Sequence, residues 1–153
     1  MGDSDLFLDD YQFINDRAIV RKNEKYAFIN KTGKLLTSFK YDWIEGFNKE
    51  GLSVAQFENR FGIINNNHEI IIPFDYFFVD LPNEKGWCLA QNKDYQWGFI
   101  NLKNEVMIPF QYEGLDKIDA QGWIKTAKAI GEDYVYGFID EKQETQIPFE
   151  YEY

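Results

Sequence analysis

The sequence predicts an all-β protein built from four tandem repeats of about 36 residues, with a propeller-like closed ring favoured over an open β-solenoid. Composition is the first observation behind this. Of 153 residues, 18% are aromatic, with 14 Phe, 10 Tyr and 4 Trp, and such residues suit a pleated surface. The second is a gap-free 16-residue string that occurs four times: "YAFINKTGKLLTSFKY" (26–41), "FGIINNNHEIIIPFDY" (61–76), "WGFINLKNEVMIPFQY" (97–112) and "YGFIDEKQETQIPFEY" (136–151). The third is spacing: the strings start 35, 36 and 39 residues apart, and a shared element precedes each. That element is "GLSVAQ" from Gly51, "GWCLAQ" from Gly86 and "GWIKTA" from Gly122, with "DRAIVR" from Asp16 in the first repeat.

The preceding element alternates with period two. Leu52, Trp87 and Trp123 share a side with Val54 and Leu89; Ser53, Cys88 and Ile124 share the other with Ala55, Ala90 and Thr126. The small residues predict close packing against a neighbouring strand. The opening of the 16-mer reads as an inner strand. Tyr26, Phe61, Trp97 and Tyr136 lie on one face with Phe28, Ile63, Phe99 and Phe138. The other face pairs Ala27, Gly62, Gly98 or Gly137 with an invariant Ile, and glycine there signals close backbone approach.

A hairpin turn is predicted at positions five to nine. Asn30, Asn65, Asn101 and Asp140 are residues that bond their own backbone two residues on. Gly33, His68, Asn104 and Gln143 stand three residues later, where a left-handed conformation is expected. The chain then returns through Pro73, Pro109 and Pro148, with Ser38 in the first repeat. Proline marks an edge strand, a strand end or a bulge. The Phe and Tyr that follow recur every time, so that 15 of 16 places at positions one, three, fourteen and sixteen are aromatic. Each repeat thus offers the same wedge to its neighbour.

The domain reading is one repeat domain over 1–153, with repeats at approximately 16–50, 51–85, 86–121 and 122–153. Residues 6–14, "LFLDDYQFI", are expected to complete the last repeat and lock the ring. "AIGEDYV" at 129–135 lengthens the last repeat and is expected to form a loop on a binding face.

The aromatic-Gly-Phe-Ile-Asn/Asp string, followed at fixed distance by Ile-Pro-Phe-x-Tyr, resembles the WG-containing repeat family. The nearest match is 97–112, with the eponymous pair at Trp97 and Gly98. Phe61-Gly62, Tyr136-Gly137 and Tyr26-Ala27 stand in the other repeats; the first also lacks the proline and departs most. The resemblance spans residues 16 to 151. It implies a β-strand repeat used mostly in bacterial proteins, with no shared reaction and no catalytic residues to carry over.

Net charge is −10. Polyanionic nucleic acid and anionic membrane surfaces are therefore disfavoured as partners, and a more basic protein is favoured through faster encounter. The N-terminus "MGDSDLFLDD" has no basic and then apolar leader, and no run of about 18 apolar residues occurs. The expectation is a soluble cytoplasmic protein. The single cysteine, Cys88, aligns with Ala18, Ser53 and Ile124 and reads as a small core residue; the single histidine, His68, reads as a surface turn residue. No phosphate loop, zinc spacing or nucleophile elbow appears, so no enzyme, cofactor or metal is predicted.

The first function predicted is a non-catalytic protein-binding module, most concretely an acidic inhibitor or immunity-type protein that masks a cognate bacterial toxin or effector. A glycan-binding β-repeat is the alternative, and a carboxylate-dependent hydrolase ranks last. The candidate partner-binding residues are acids and aromatics outside the repeated core. They are Trp43 and Glu45; Phe78, Asp80 and Glu84; Asp116 and Asp119; and Glu132, Asp133 and Tyr134. Partner identity, binding face and oligomeric state stay open at this level.

Overall fold

The computed structural model describes residues 7–8 and 16–152. The chain comprises two compact units, Met1–Asp75 and Tyr76–Tyr153. In the first, β1 (Phe7–Leu8), β2 (Arg17–Lys22) and β3 (Lys25–Asn30) form one sheet in that order. β4 (Trp43–Ile44), β5 (Leu52–Phe57), β6 (Arg60–Asn65) and β7 (Ile70–Tyr76) form the next. In the second unit β8 (Phe78–Val79), β9 (Trp87–Gln91), β10 (Trp97–Asn101) and β11 (Val106–Tyr112) make the third sheet. The fourth runs β12 (Gly114–Leu115), β13 (Trp123–Ile130), β14 (Asp133–Asp140) and β15 (Thr145–Tyr151). Among the described residues there is no helix, hence none able to cross a membrane, and no sheet closes on itself. The fold is all-β with one antiparallel sheet per repeat; ring closure is not seen in the strand pairing.

The sheets run in a different phase from the sequence repeats. Each opens with a two-residue strand, drawn in the second to fourth sheets from the stretch that follows the previous Phe-x-Tyr. Trp43 pairs with Gln56, Phe78 with Gln91 and Gly114 with Ala127. Phe7 and Leu8 take the same place against Arg21 and Val20 of β2. Residues 6–14 are expected to complete the last repeat, yet the pairing of Phe7–Leu8 lies in the first sheet; residues 6 and 9–14 fall outside the described residues. The physical reason is local. Pairing with the next strand in sequence closes a much shorter loop than pairing with the last repeat, and so costs less chain entropy.

The β6, β10 and β14 strands are interior in their sheets, as their two apolar faces predict. Ser53, Ala55, Cys88, Ala90, Ile124 and Thr126, the small-residue side of the preceding strand, are all fully buried. The two buried hydroxyls are satisfied locally: Ser53 Oγ donates to the Val54 carbonyl at 3.1 Å and Thr126 Oγ1 to that of Ile124 at 3.0 Å.

Every return strand, β7, β11 and β15, is the outer member of its sheet and carries the proline. The register shows why. Trp97 faces Tyr112 and Phe99 faces Ile108, so Pro109, Phe110 and Gln111 together oppose Gly98. Likewise Pro148, Phe149 and Glu150 oppose Gly137. The bulge drives the chain onto the glycine. A Cβ on Gly62, Gly98 or Gly137 would meet the carbonyl oxygen of Ile72, Ile108 or Ile147 at 2.5, 2.5 and 2.6 Å. The first repeat has Ala27 and Ser38 at the matching places, and there the return is reduced to two isolated bridges, Tyr26–Tyr41 and Ile29–Leu35. Thr37 Oγ1 instead accepts the Phe28 N–H at 3.2 Å.

The predicted hairpin turns form in all four repeats. Asn101 Oδ1 accepts the N–H groups of Lys103 at 3.0 Å and Glu105 at 2.9 Å. Asn30, Asn65 and Asp140 do the same in theirs. Gly33, His68, Asn104 and Gln143 all take positive φ, from 63 to 84°. The turn residue also ties successive repeats in the second unit: Tyr76 donates its hydroxyl to Asn104 Oδ1, and Tyr112 donates to Gln143 Oε1 at 3.0 Å. The core of that unit follows from the same stacking, with Phe99, Ile108 and Tyr112 packed on Leu115, Ile124 and Ile139. In the first unit Phe28, Tyr41, Ile44 and Ile64 do this.

"AIGEDYV" is not a loop. It extends the β13–β14 hairpin by regular pairing, Lys128 with Val135, Ala129 with Tyr134 and Ile130 with Asp133. β-Branched and aromatic residues on both sides of Gly131 favour strand pairing over an irregular loop.

Candidate partner-binding surface

In the second, third and fourth sheets the segment between the short strand and the next long one is ordered by a turn that repeats the hairpin chemistry. Asn83 Oδ1 accepts the N–H groups of Lys85 and Trp87 at 2.9 and 3.1 Å, and Gly86 takes φ 81°. Asp119 Oδ1 accepts those of Gln121 and Trp123, both at 2.9 Å, and Gly122 takes φ 83°. Asn48 and Gly51 form the equivalent turn in the first unit. A bond from the Leu81 N–H to Asp80 Oδ1 at 2.8 Å adds a further restraint. These loops are therefore held as rigid lips rather than free connections.

Between two such lips, in the second unit, lies a groove of about 660 Å³. Trp87, Leu89, Phe99 and Ile118 supply apolar lining; Asp80, Glu84 and Asp119 bring carboxylates to it. The Trp87 and Phe99 rings lie 6.1 Å apart. Lys85 Nζ stands 5.5 Å from the centre of the Trp87 ring and pairs with Glu141. Lys117 Nζ is 4.0 Å from Asp80 Oδ2. A second hollow of about 480 Å³ adjoins it through Asp80, Leu89 and Lys117, and adds Phe78, Trp97 and Asp116. Phe78 packs on Trp97 with ring centres 5.5 Å apart.

Five of the ten sequence-predicted residues line these two adjoining hollows: Asp80 in both, Glu84 and Asp119 in the first, Phe78 and Asp116 in the second. The other five do not join them there. Trp43 and Glu45 are exposed on the first unit, Trp43 edge-on to Tyr26 at 5.7 Å. Glu132, Asp133 and Tyr134 sit at the tip of the extended β13–β14 hairpin, all exposed. Sequence reasoning passes over Lys85, Trp87, Ile118 and Glu141. The signal for the loops that carry Lys85 and Ile118 and lead into Trp87 is "NKEG", "NEKG" and "DAQG" before three of the long strands, an Asn/Asp-x-x-Gly turn repeated at a fixed place.

Cys88 is fully buried, and burial, followed by the nearby Asp80 charge, pushes its thiol up to about 12. It is a core residue, as its alignment predicts. His68 occupies its predicted turn but is not simply a surface residue. Its ring lies against Phe28, centres 4.7 Å apart, with Nε2 buried and unbonded. Burial first, then the Arg17 and Lys40 charges, lower its pKa. Among the described residues no group of three or more His, Cys, Asp or Glu is placed to hold a metal ion.

Comparison with known proteins agrees with this architecture. The sequence pattern described as WG containing repeat matches at residues 26–60, 61–95, 97–124 and 136–153. No curated protein matches the sequence. Among solved structures, one described as an eukaryotic initiation factor is similar over 93% of this chain, with a TM-score of 0.51 and 11% identity. The chain spans 42% of that protein's length, and the likeness is one of fold alone.

Proposed function

The chain belongs to the WG containing repeat family, and on that premise we propose that it is a non-catalytic repeat module that binds a more basic partner protein. The family is a repeat module, in which recurrent residues build the core and the residues between them are free to specify a ligand. The observation that carries the reading is the groove of the second unit, where an apolar floor of Trp87, Leu89, Phe99 and Ile118 meets the carboxylates of Asp80, Glu84 and Asp119. Buried aromatic anchors beside charges are the usual makings of a binding hot spot. The net charge of −10 adds long-range attraction for a cationic protein.

In its most concrete form the module is an inhibitor or immunity-type protein that masks a basic bacterial toxin or effector. Affinity capture from the source cells, followed by titration of the captured partner, tests it. The expected result is a basic protein whose binding weakens with salt and falls at least tenfold when Asp80, Glu84 and Asp119 become Asn, Gln and Asn, the loss of about 1.4 kcal/mol or more. Binding that ignores both changes overturns the reading.

A glycan-binding module is the second reading, favoured by the Trp87 ring in the groove. The Lys85 ammonium lies on that ring, so a sugar would have to displace it in order to stack. A glycan array with the wild-type chain and Trp87→Ala separates the two.

A further inference from the structure

We propose that this groove anchors an arginine side chain of the partner, and that Lys85 is a tethered placeholder for it. The inference rests on the protein-binding reading above and names what the site recognises. Lys85 already assembles the elements of a cation site. Its ammonium lies 5.5 Å from the centre of the Trp87 ring and pairs with Glu141. Both partners are held: the Trp87 backbone N–H donates to Asn83 Oδ1 while its ring lies against Phe99, and Glu141 belongs to the turn capped by Asp140. The lysine itself is half exposed, its side chain 48% accessible, so it can swing into water without leaving a buried charge.

The local charge balance calls for another cation. Asp80, Glu84, Asp119 and Glu141 line the groove against Lys85 and Lys117, four negative charges to two positive. Lys117 is 84% exposed and reaches Asp80 only at 4.0 Å, a surface pair that contributes little. Asp80 is thus available to an incoming cation. The walls add Leu81 and Pro82, against which a methylene stem can lie while its charged head meets the acids.

The incoming cation is arginine rather than lysine for a physical reason. A partner lysine would replace Lys85 like for like, against a competitor tethered at an effective concentration in the millimolar range or above. A guanidinium gains where an ammonium does not. It stacks flat on an indole, engages carboxylates through its edges at the same time, and gives up less hydration.

The test uses the full chain and three peptides, acetyl-Gly-Arg-Gly-amide and its lysine and citrulline twins, followed by the indole N–H resonances of the tryptophans. The arginine peptide should shift the Trp87 resonance first. The lysine peptide should need about threefold or more higher concentration, and the neutral citrulline peptide should leave Trp87 unmoved. Lys85→Gln, at an exposed position that does not threaten the fold, should tighten the arginine peptide about threefold or more and narrow its lead over lysine. Equal response to arginine and lysine, a silent Trp87, or indifference to Lys85→Gln overturns the proposal. The two readings fail separately. A basic partner that still depends on Asp80, Glu84 and Asp119 while the peptides leave Trp87 silent removes the arginine anchor alone. A Trp87 response to arginine alone, with a captured partner indifferent to those acids, removes the partner site and leaves the anchor.

Discussion

A Cβ placed on Gly98 would lie 2.5 Å from the carbonyl oxygen of Ile108, nearer than such atoms approach. The glycine and the proline bulge opposite it are one device: the bulge brings backbone onto the strand, and only a residue without a side chain admits it. Gly98→Ala or Gly137→Ala should therefore destabilise the chain by about 1–3 kcal/mol, the usual cost of overpacking. Ala27→Gly, where the regular return strand is missing, should cost about 1 kcal/mol, chiefly backbone entropy and a lost methyl. Urea unfolding midpoints check both; a Gly98→Ala variant as stable as the wild type would count against the device.

The side chain of Asn101 replaces two backbone partners in its hairpin. Asn101→Ala should cost about 1–3 kcal/mol, from two bonds of about 0.5–1.5 kcal/mol each. Asn101→Asp should retain most of the stability, since Asp140 fills that position in the last repeat with the same geometry. Comparing both variants by chemical denaturation separates the contribution of the Oδ1 acceptor from that of the Nδ2 bond to Glu105.

His68 predicts a pH dependence. Its folded pKa lies below the ordinary value of 6.5 because of burial first and then Arg17 and Lys40. The unfolded chain therefore binds the proton more readily. Stability from this site is complete above about pH 6.5 and falls as the pH drops from there through the folded pKa. His68→Asn, the residue Asn104 supplies in the next repeat, should flatten the stability profile below about pH 6.5. Asp42 acts in the same direction in a lower window: its hydrogen bond to Lys25 chiefly holds its pKa below 3.8, so its contribution is lost only as the pH falls below that value. An unchanged slope in the His68 variant would refute the assignment.

Cys88 should be inert while the chain is folded. Its thiol is buried and pushed up to about 12, so thiolate is scarce at neutral pH. Labelling by a maleimide should proceed only as fast as the third sheet opens, and should become rapid in urea. Fast labelling of the native protein would show that the strand breathes freely.

Much of this fold is written in single positions of the sequence. Asn101 and its counterparts announce the turns, because their short side chains bond locally. Gly98 and Pro109 announce a close approach and an edge, because one lacks a side chain and the other a donor. The hairpin extension at 129–135 has no such mark. An insertion has the same length whether it pairs or loops, and only the register of Lys128 with Val135 decides it.

The sequence by itself determined the all-β class, the repeats, the inner strands of three of the four sheets and the buried Cys88, since each depends on local periodicity or conformational freedom. Tertiary structure alone decided the sheet phase, the pairing of Phe7–Leu8 with β2, and the meeting of Asp80, Glu84 and Asp119 with Trp87. Asp80 and Glu84 share the loop that leads into Trp87, but Asp119 lies on a loop of the next sheet, and sequence distance carries no information about which lips face one another. The physical reason is that their proximity comes from stacking of whole sheets, driven by apolar burial at Phe99, Leu115 and Ile124 rather than by any attraction among the surface residues themselves.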